Sequence, residues 1–344
     1  MKQLQQLFIV ALLLSVNALL AQNKVALHSN GVSSFFTGAN PFQEAYTAAV
    51  DGDTIYLPGG TYALPDNIDK HIVVYGSGHH PDYTAVMGKT ILTGYINLYS
   101  GAAKSHFEGL SFTRLYYGAV ADSVVVKRCK LTSVDFGGHA SVGTQIIENV
   151  IEGIAGTGSV NTVIANNIIK KDGYDVIYNF NNNAWIHNNI IVAKGHSVNY
   201  RNYYMLSNIT NCLFDNNIIF NEGNRVDNVL RDNVLNNTFK NNVFNGNPNL
   251  SLNTGENNFF GVASNSFFTN YTGIVFNYEE DFHLLNPASY IGTTGNEVGI
   301  YGGFAPAKVG MIPTNPHIQL KDIAPATDAN GDLQIQIQVE AQNQ

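Results

Sequence analysis

A short motif recurs through the middle of the chain: an apolar pair, two polar residues that are often Asn-Asn, and a second apolar pair. It reads VIANNIIK at 163–170, WIHNNIIV at 185–192, LFDNNIIF at 213–220 and TFKNNVFN at 238–245. Weaker copies are IIENVIEG at 146–153, VKRCKLTS at 126–133, HFEGLSFT at 106–113 and GENNFFGV at 255–262. Aligned on the residue before the second apolar pair, they put Gly109, Cys129, Asn149, Asn167, Asn189, Asn217, Asn242 and Asn258 in one column, with gaps of 20, 20, 18, 22, 28, 25 and 16 residues. Self-similarity at such a period means stacked coils, because one repeat cannot bury its apolar face alone. The apolar pieces are too short and too β-branched for helices, and Asn and Gly punctuate them, so they read as strands. Leucine-rich repeats share the period but demand a regular Leu pattern, which is absent. The expectation is an all-β parallel β-helix with coils about 4.8 Å apart.

The repeat decides how the composition is read. A length of 344 residues permits two domains, but one continuous period favours one. Disorder is excluded by 44% hydrophobic and 11% aromatic content. The 44 Asn become turns and an internal ladder, each amide hydrogen-bonded to its equivalents in neighbouring coils. Cys129 stands in the ladder column and Cys212 lies four coils on, roughly 19 Å away along the axis. A disulfide requires Cα atoms within about 7 Å, so two free, buried thiols are expected. With 18 basic against 26 acidic residues the net charge is −8, and no basic stripe exists to neutralise phosphates, which excludes nucleic acid as a partner.

Residues 1–21 carry Lys2, an apolar core from Leu7 to about Leu20 broken by Asn17, and small residues around Ala21. This is the pattern of a secretory signal peptide, with cleavage expected near Ala21 and delivery to the periplasm, cell surface or extracellular space. The run is shorter than the roughly 20 clean apolar residues of a transmembrane anchor. No other long apolar run follows, so the mature chain is expected to be a soluble monomer.

A stack of coils has open ends that need covering. After a lead-in at 22–40, Asn40-Pro41-Phe42-Gln43-Glu44 has the chemistry of a helix start, and Phe42, Ala45, Tyr46 and Ala49 share one face. A short amphipathic capping helix is expected at 41–50, with DGDTIYLPGGTYAL as the first coil. The order of this helix, G-D-T-I-Y-L-P-G-G-T-Y and Asn-rich coils resembles the secreted right-handed parallel β-helix (pectin lyase-like) superfamily. DFHLLNPASYIGTTGNEVGIYGG at 281–303 is similar to the closing segment of bacterial members. The resemblance spans 41–304 and implies a single-stranded, right-handed solenoid with a groove for carbohydrate along one outer face. It implies activity only weakly, because the superfamily holds lyases, hydrolases, epimerases, adhesins and non-catalytic proteins. Ca²⁺ is implied by the resemblance alone; no adjacent Asp-Asp, Gly-His-Gly or Arg-x-Lys is expected to transfer. The tail, 305–344, holds several Pro and ends in LQIQIQVEAQ, whose alternation at Leu333, Ile335, Ile337 and Val339 predicts a half-buried strand.

Counting from each ladder Asn gives a positional search for chemistry. Position +5 holds Asp172, Lys194 and Glu222 in successive coils, +7 holds Tyr174, His196 and Asn224, and +8 holds Asp175, Ser197 and Arg225. Stacked neighbours lie about 4.8 Å apart, so these form one polar patch. Asp172, Asp175, Lys194, His196 and Arg225 are the candidate catalytic residues, suited to acid, base or sugar-hydroxyl contacts. The longest gap adds a Tyr-rich loop at 199–208, so Tyr174, Tyr200, Arg201, Tyr203, Tyr204 and Glu222 are the candidate substrate-binding residues. The plainer reading is a solvated ion-pair stripe with structural Tyr, as surface charges and β-sheet Tyr usually are. His79-His80-Pro81-Asp82 lacks a second ligand cluster and reads as a loop rather than a metal site. Function is expected to be binding of a polysaccharide or cell-surface glycan, with cleavage by a lyase or glycoside hydrolase chemistry open; the alternative is a non-catalytic surface or adhesive β-helix.

Overall fold

The structure, a computed structural model, describes residues 24–194, 197–198 and 201–340, with 197, 198, 201 and 202 described by backbone alone. The proposed signal peptide at 1–21 lies outside the described residues. Two long sheets dominate, and the stretches the motif marks as strands pair in parallel with the next copy along the chain. In the first sheet, Asp53–Tyr56, Ile72–Tyr75, His106–Glu108, Val125–Lys127, Gln145–Ile147, Val163–Ala165, Trp185–His187, Leu213–Asp215, Thr238–Lys240 and Thr254–Glu256 stack in order. The second runs from Gly60–Ala63 through Ser111–Tyr117, Lys130–Asp135, Val150–Ala155, Ile168–Lys171, Ile190–Ala193 and Ile218–Asn221 to Val243–Phe244. A third row, Ile177–Phe180, Leu206–Thr210 and Val234–Leu235, continues in parallel from Val150–Ala155. This all-β arrangement is compatible with a β-helix.

Alternation explains the packing. The middle residue of each first-sheet strand points in, so Phe107, Val126, Ile146, Ile164, Ile186, Phe214 and Phe239 form a buried file. Leu131, Ile151, Ile169, Ile191, Ile219 and Phe244 face them from the second sheet. Each such side chain contributes about 1.5–3 kcal/mol on burial, which makes this core the drive for folding.

The two polar residues between the apolar pairs have separate jobs. The second is the ladder: Asn149, Asn167, Asn189, Asn217 and Asn242 each donate Nδ2 to the Oδ1 of the next ladder Asn at 2.9–3.1 Å, ending at Asn258. Each Nδ2 also donates to a main-chain carbonyl of the preceding coil, as Asn189 does to Ile164. The first polar residue makes the turn, with φ of 51–58° at Arg128, Glu148, Asn166, Asn188, Asn216, Asn241 and Asn257. Asn tolerates this left-handed conformation better than most residues, which is why the pair is so often Asn-Asn. One alignment needs correction: strand register pairs Lys130 with Ser111, so Leu110, not Gly109, shares the column of Cys129. Gly109, at φ 73°, occupies the turn position instead.

Both cysteines are free and buried, and each heads a ladder. The Cys129 N–H donates to Asn149 Oδ1 at 2.8 Å, and the Cys212 N–H to Asn237 Oδ1 at 2.9 Å in a second, shorter ladder that continues to Asn253. Burial pushes the Cys129 thiol up to about 12, so it is inert packing rather than a nucleophile.

The ends differ from expectation. A helix forms over Pro41–Ala48 and buries Phe42, Ala45 and Tyr46. The lead-in is not featureless: Val25–Ser29 and Val32–Phe36 make a hairpin that pairs antiparallel with Asp53–Tyr56. The segment at 281–303 folds back along the outside of the coils. Asn241 and Asn166 donate to the carbonyls of Ile291 and Ile300, Asn188 donates to Gly299, and Asn216 bonds Thr293. Outward-facing Val150, Ile168, Ile190, Ile218, Phe220 and Val243 of the second sheet pack under this strap against Phe267, Phe268, Phe282 and Ile300. Further along, Glu108 accepts from the Thr314 N–H at 2.8 Å, and Arg128 binds Glu148 through two nitrogens and Glu108 through a third. The terminal strand is not half-buried as expected: Ile335–Glu340 pairs with His317–Ile323, and Ile335, Ile337 and Val339 are all exposed.

Candidate functional site

The +5 column stacks as expected, because Lys171, Ala193 and Asn221 are aligned in register and Asp172, Lys194 and Glu222 follow them. The Lys194 ammonium donates to Asp172 at 3.1 Å, both side chains well exposed, a pair worth about 0.2–1 kcal/mol at most. Glu222 faces elsewhere and accepts from the Tyr271 hydroxyl at 3.0 Å. Tyr174 stacks on Tyr203 with ring centroids 4.2 Å apart. Asp175 holds a left-handed turn (φ 50°); its N–H donates to the Tyr204 carbonyl at 2.9 Å, and its own carbonyl accepts from Lys171. Arg225 is exposed, and its main-chain carbonyl accepts from Asn221 Nδ2. His196 and Tyr200 lie outside the described residues, as does the side chain of Arg201. The described members of the patch form an ion pair, an aromatic stack and turn contacts, with no shared reacting point.

A groove lies beside this rim, on the open face of the second sheet. Two adjoining cavities of about 500 and 260 Å³ share Thr132, Glu152 and Lys171. The larger reaches Lys130 and Asp172 and is walled by Ile274, Val275 and Phe276, in the chain leading into the strap; the smaller reaches Arg114, Asp135 and Tyr178. The groove exists because outward residues of the early coils are polar, whereas those of later coils are apolar and covered.

Its charges are only partly paired. Arg114 is bound to Asp135 and lies 4.5 Å over the Tyr116 ring. Lys130 sits 4.7 Å over Tyr278; burial lowers its ammonium below the ordinary value, and the Lys89 charge adds to this. Glu152 is exposed and has no ion-pair partner among the described residues. Burial raises the Tyr178 hydroxyl, and the charges of Asp135 and Asp175 act in the same direction. The floor therefore offers cations, an available carboxylate and aromatic edges across successive coils. Such a surface can hydrogen-bond hydroxyls, neutralise an anionic sugar and exchange protons. Among the described residues no three His, Cys, Asp or Glu side chains group as metal ligands.

Sequence reasoning reached Asp172 at the groove's edge but missed Arg114, Lys130, Thr132, Glu152 and Lys171, which sit one to four positions after the ladder column, inside the strands, whereas the search went beyond them. The expectation that no Arg-x-Lys is present is wrong, since Arg128-Cys129-Lys130 is such a triplet. Its members diverge: Arg128 is buried between Glu108 and Glu148, Cys129 points into the ladder, and Lys130 lines the groove. His79, read as a loop residue, is buried and receives the Tyr278 hydroxyl bond on its carbonyl at 2.9 Å, tying its loop to the strap. No protein-family model matches the chain, and no curated protein matches it either.

Proposed function

We propose that this chain is an exported, single-stranded, right-handed parallel β-helix that binds a polysaccharide along the groove of its second sheet. The observation that carries the reading is the groove: Arg114, Lys130, Glu152, Lys171 and Asp172 lie across several coils beside Phe276 and Tyr178. A linear glycan matches that shape, since it presents hydroxyls at regular spacing and apolar ring faces to aromatic edges. The solenoid reading draws on parallel stacking and on the resemblance of 41–304; the Pro41–Ala48 helix and the N-terminal hairpin then cover its first coil. Export draws on residues 1–21, and a monomer follows from a core complete within one chain.

Cleavage would use Glu152 as acid or base and the neutral amine of Lys130, the form that burial favours, as proton acceptor, with Arg114 and Lys171 holding a sugar carboxylate. The test is a glycan array with the full chain. It is followed by ultraviolet detection of unsaturated product and reducing-end assays on every glycan bound. Glu152→Gln with Lys171→Met should weaken binding at least tenfold; unchanged affinity would remove the groove from the account.

One observation favours a second reading, attachment without turnover. The hairpin of His317–Ile323 and Ile335–Glu340 exposes Ile335, Ile337 and Val339 in a row, an edge suited to docking. Truncation before His317 leaves the strap in place; loss of surface attachment with unchanged glycan binding would support that reading.

A further inference from the structure

The chain contains a single tryptophan, Trp185, and it is partly open to solvent on the outer face of the first sheet. Trp185 and His187 are two residues apart on one strand, so both point outward while Ile186 points in. Their rings stack at 4.0 Å. In the next coil Asp215 is aligned with His187, and the Trp185 indole N–H donates to Asp215 Oδ1 at 2.5 Å. Asn216 Nδ2 donates to the other carboxylate oxygen at 3.2 Å. These side chains line a cavity of about 260 Å³ together with Thr293 and Thr294 of the strap and with Phe304 just after it.

Hydrogen bonding fixes what the cavity can accept. Asn188 donates Nδ2 to the Gly299 carbonyl, so its Oδ1 takes the proton of His187 Nδ1 at 3.2 Å. His187 Nε2 is thereby an acceptor. Burial lowers the imidazole below its ordinary value, so it is neutral at pH 7. Asp215, bonded by Trp185, Asn216 and Thr293, keeps a lone pair beyond these bonds. Thr294 Oγ1 has no hydrogen-bond partner among the described residues. Phe304 is 92% exposed at the mouth, an unusual place for a Phe, whereas Trp185 is 44% exposed. Among the described residues no Lys or Arg lines the cavity.

We infer that this cavity is a second binding site, separate from the groove, that takes one neutral sugar ring stacked between Trp185 and Phe304 with its hydroxyls donating to His187 and Asp215. The volume lies below the roughly 300 Å³ at which drug-sized sites begin, so it suits one ring rather than a chain. A carboxylate in the lining and the absence of a lining cation disfavour uronic acids. The inference does not rest on the groove, which lies on the other sheet.

Because Trp185 is the sole indole, its fluorescence and its single indole N–H resonance in ¹H–¹⁵N spectra report this site alone. The full chain is titrated with methyl glycosides of neutral hexoses, pentoses and N-acetylhexosamines, with methyl uronates and with choline. Expected is a saturable change in both signals with at least one neutral glycoside at millimolar concentration. Phe304→Ala, at an exposed position, should weaken it at least fivefold and Asp215→Asn at least tenfold, while Glu152→Gln with Lys171→Met leaves it unchanged. The inference is overturned if no neutral glycoside gives a saturable change, if only choline or uronates do, or if Phe304→Ala binds as the natural chain does.

Discussion

At the scale of single residues, the two Asn of the motif are chemically alike and physically different. Asn189 is buried with its amide donating to Ile164, His187 and Asn217. Asn189→Ala leaves several of these groups without partners and should cost about 1–3 kcal/mol, read by urea denaturation. Asn188→Gly keeps the left-handed turn and should cost less, although it releases the Gly299 carbonyl. The ladder was legible because amides repeat at one period. Position 110 was misplaced because an apolar Leu fills the ladder column there, while Gly109 in the turn looks like a substitute for Asn. His79 gives a pH dependence that the sequence does not disclose. Burial, aided by the Lys130 charge, takes its imidazole from 6.5 down to about 3. The unfolded chain then binds a proton that the folded chain refuses, so stability is full above about pH 6.5 and falls as pH drops toward 3. Melting temperatures from pH 7 to 4 should decline, and His79→Gln should flatten that decline.

At the scale of elements, the strap is the feature that sequence reading placed but did not orient. Residues 281–303 were recognisable as the end of the coils. Their return path depends on the first Asn of each motif, whose side chain points outward to the strap, and nothing local marks that direction. The buried cluster of Arg128, Glu108 and Glu148 joins the same strap to the early coils through Thr314 and Lys308. Arg128→Met strands two buried carboxylates and should cost about 3–5 kcal/mol by denaturation. Phe268→Ala should act more locally: hydrogen exchange is expected to quicken across 267–312 while the Asn ladder strands keep their protection. The tail teaches the reverse lesson. Alternation in LQIQIQVE shows that a strand has two unlike faces, but not that anything covers the apolar one.

At the scale of the whole molecule, the proposed function rests on where the outer surface is left open. Apolar outward residues from Val150 to Val243 call for a cover and receive the strap; polar ones at Thr132, Glu152 and Lys171 leave a groove beside it. The stacked architecture was legible from the period alone, since the motif copies from 106 to 245 each supply one strand to each sheet. The site was not, because strand residues facing out and strand residues facing in alternate identically along the chain, and only the strap decides which outward positions remain accessible. The most direct measurement of the proposed groove is carbodiimide labelling of carboxylates, read by mass spectrometry, on the full chain with and without the strongest ligand from the glycan array. Labelling of Glu152 and Asp172 should fall sharply on binding, with exposed Asp51 and Asp232 unchanged. Undiminished labelling of Glu152 and Asp172 at saturating glycan would contradict the account.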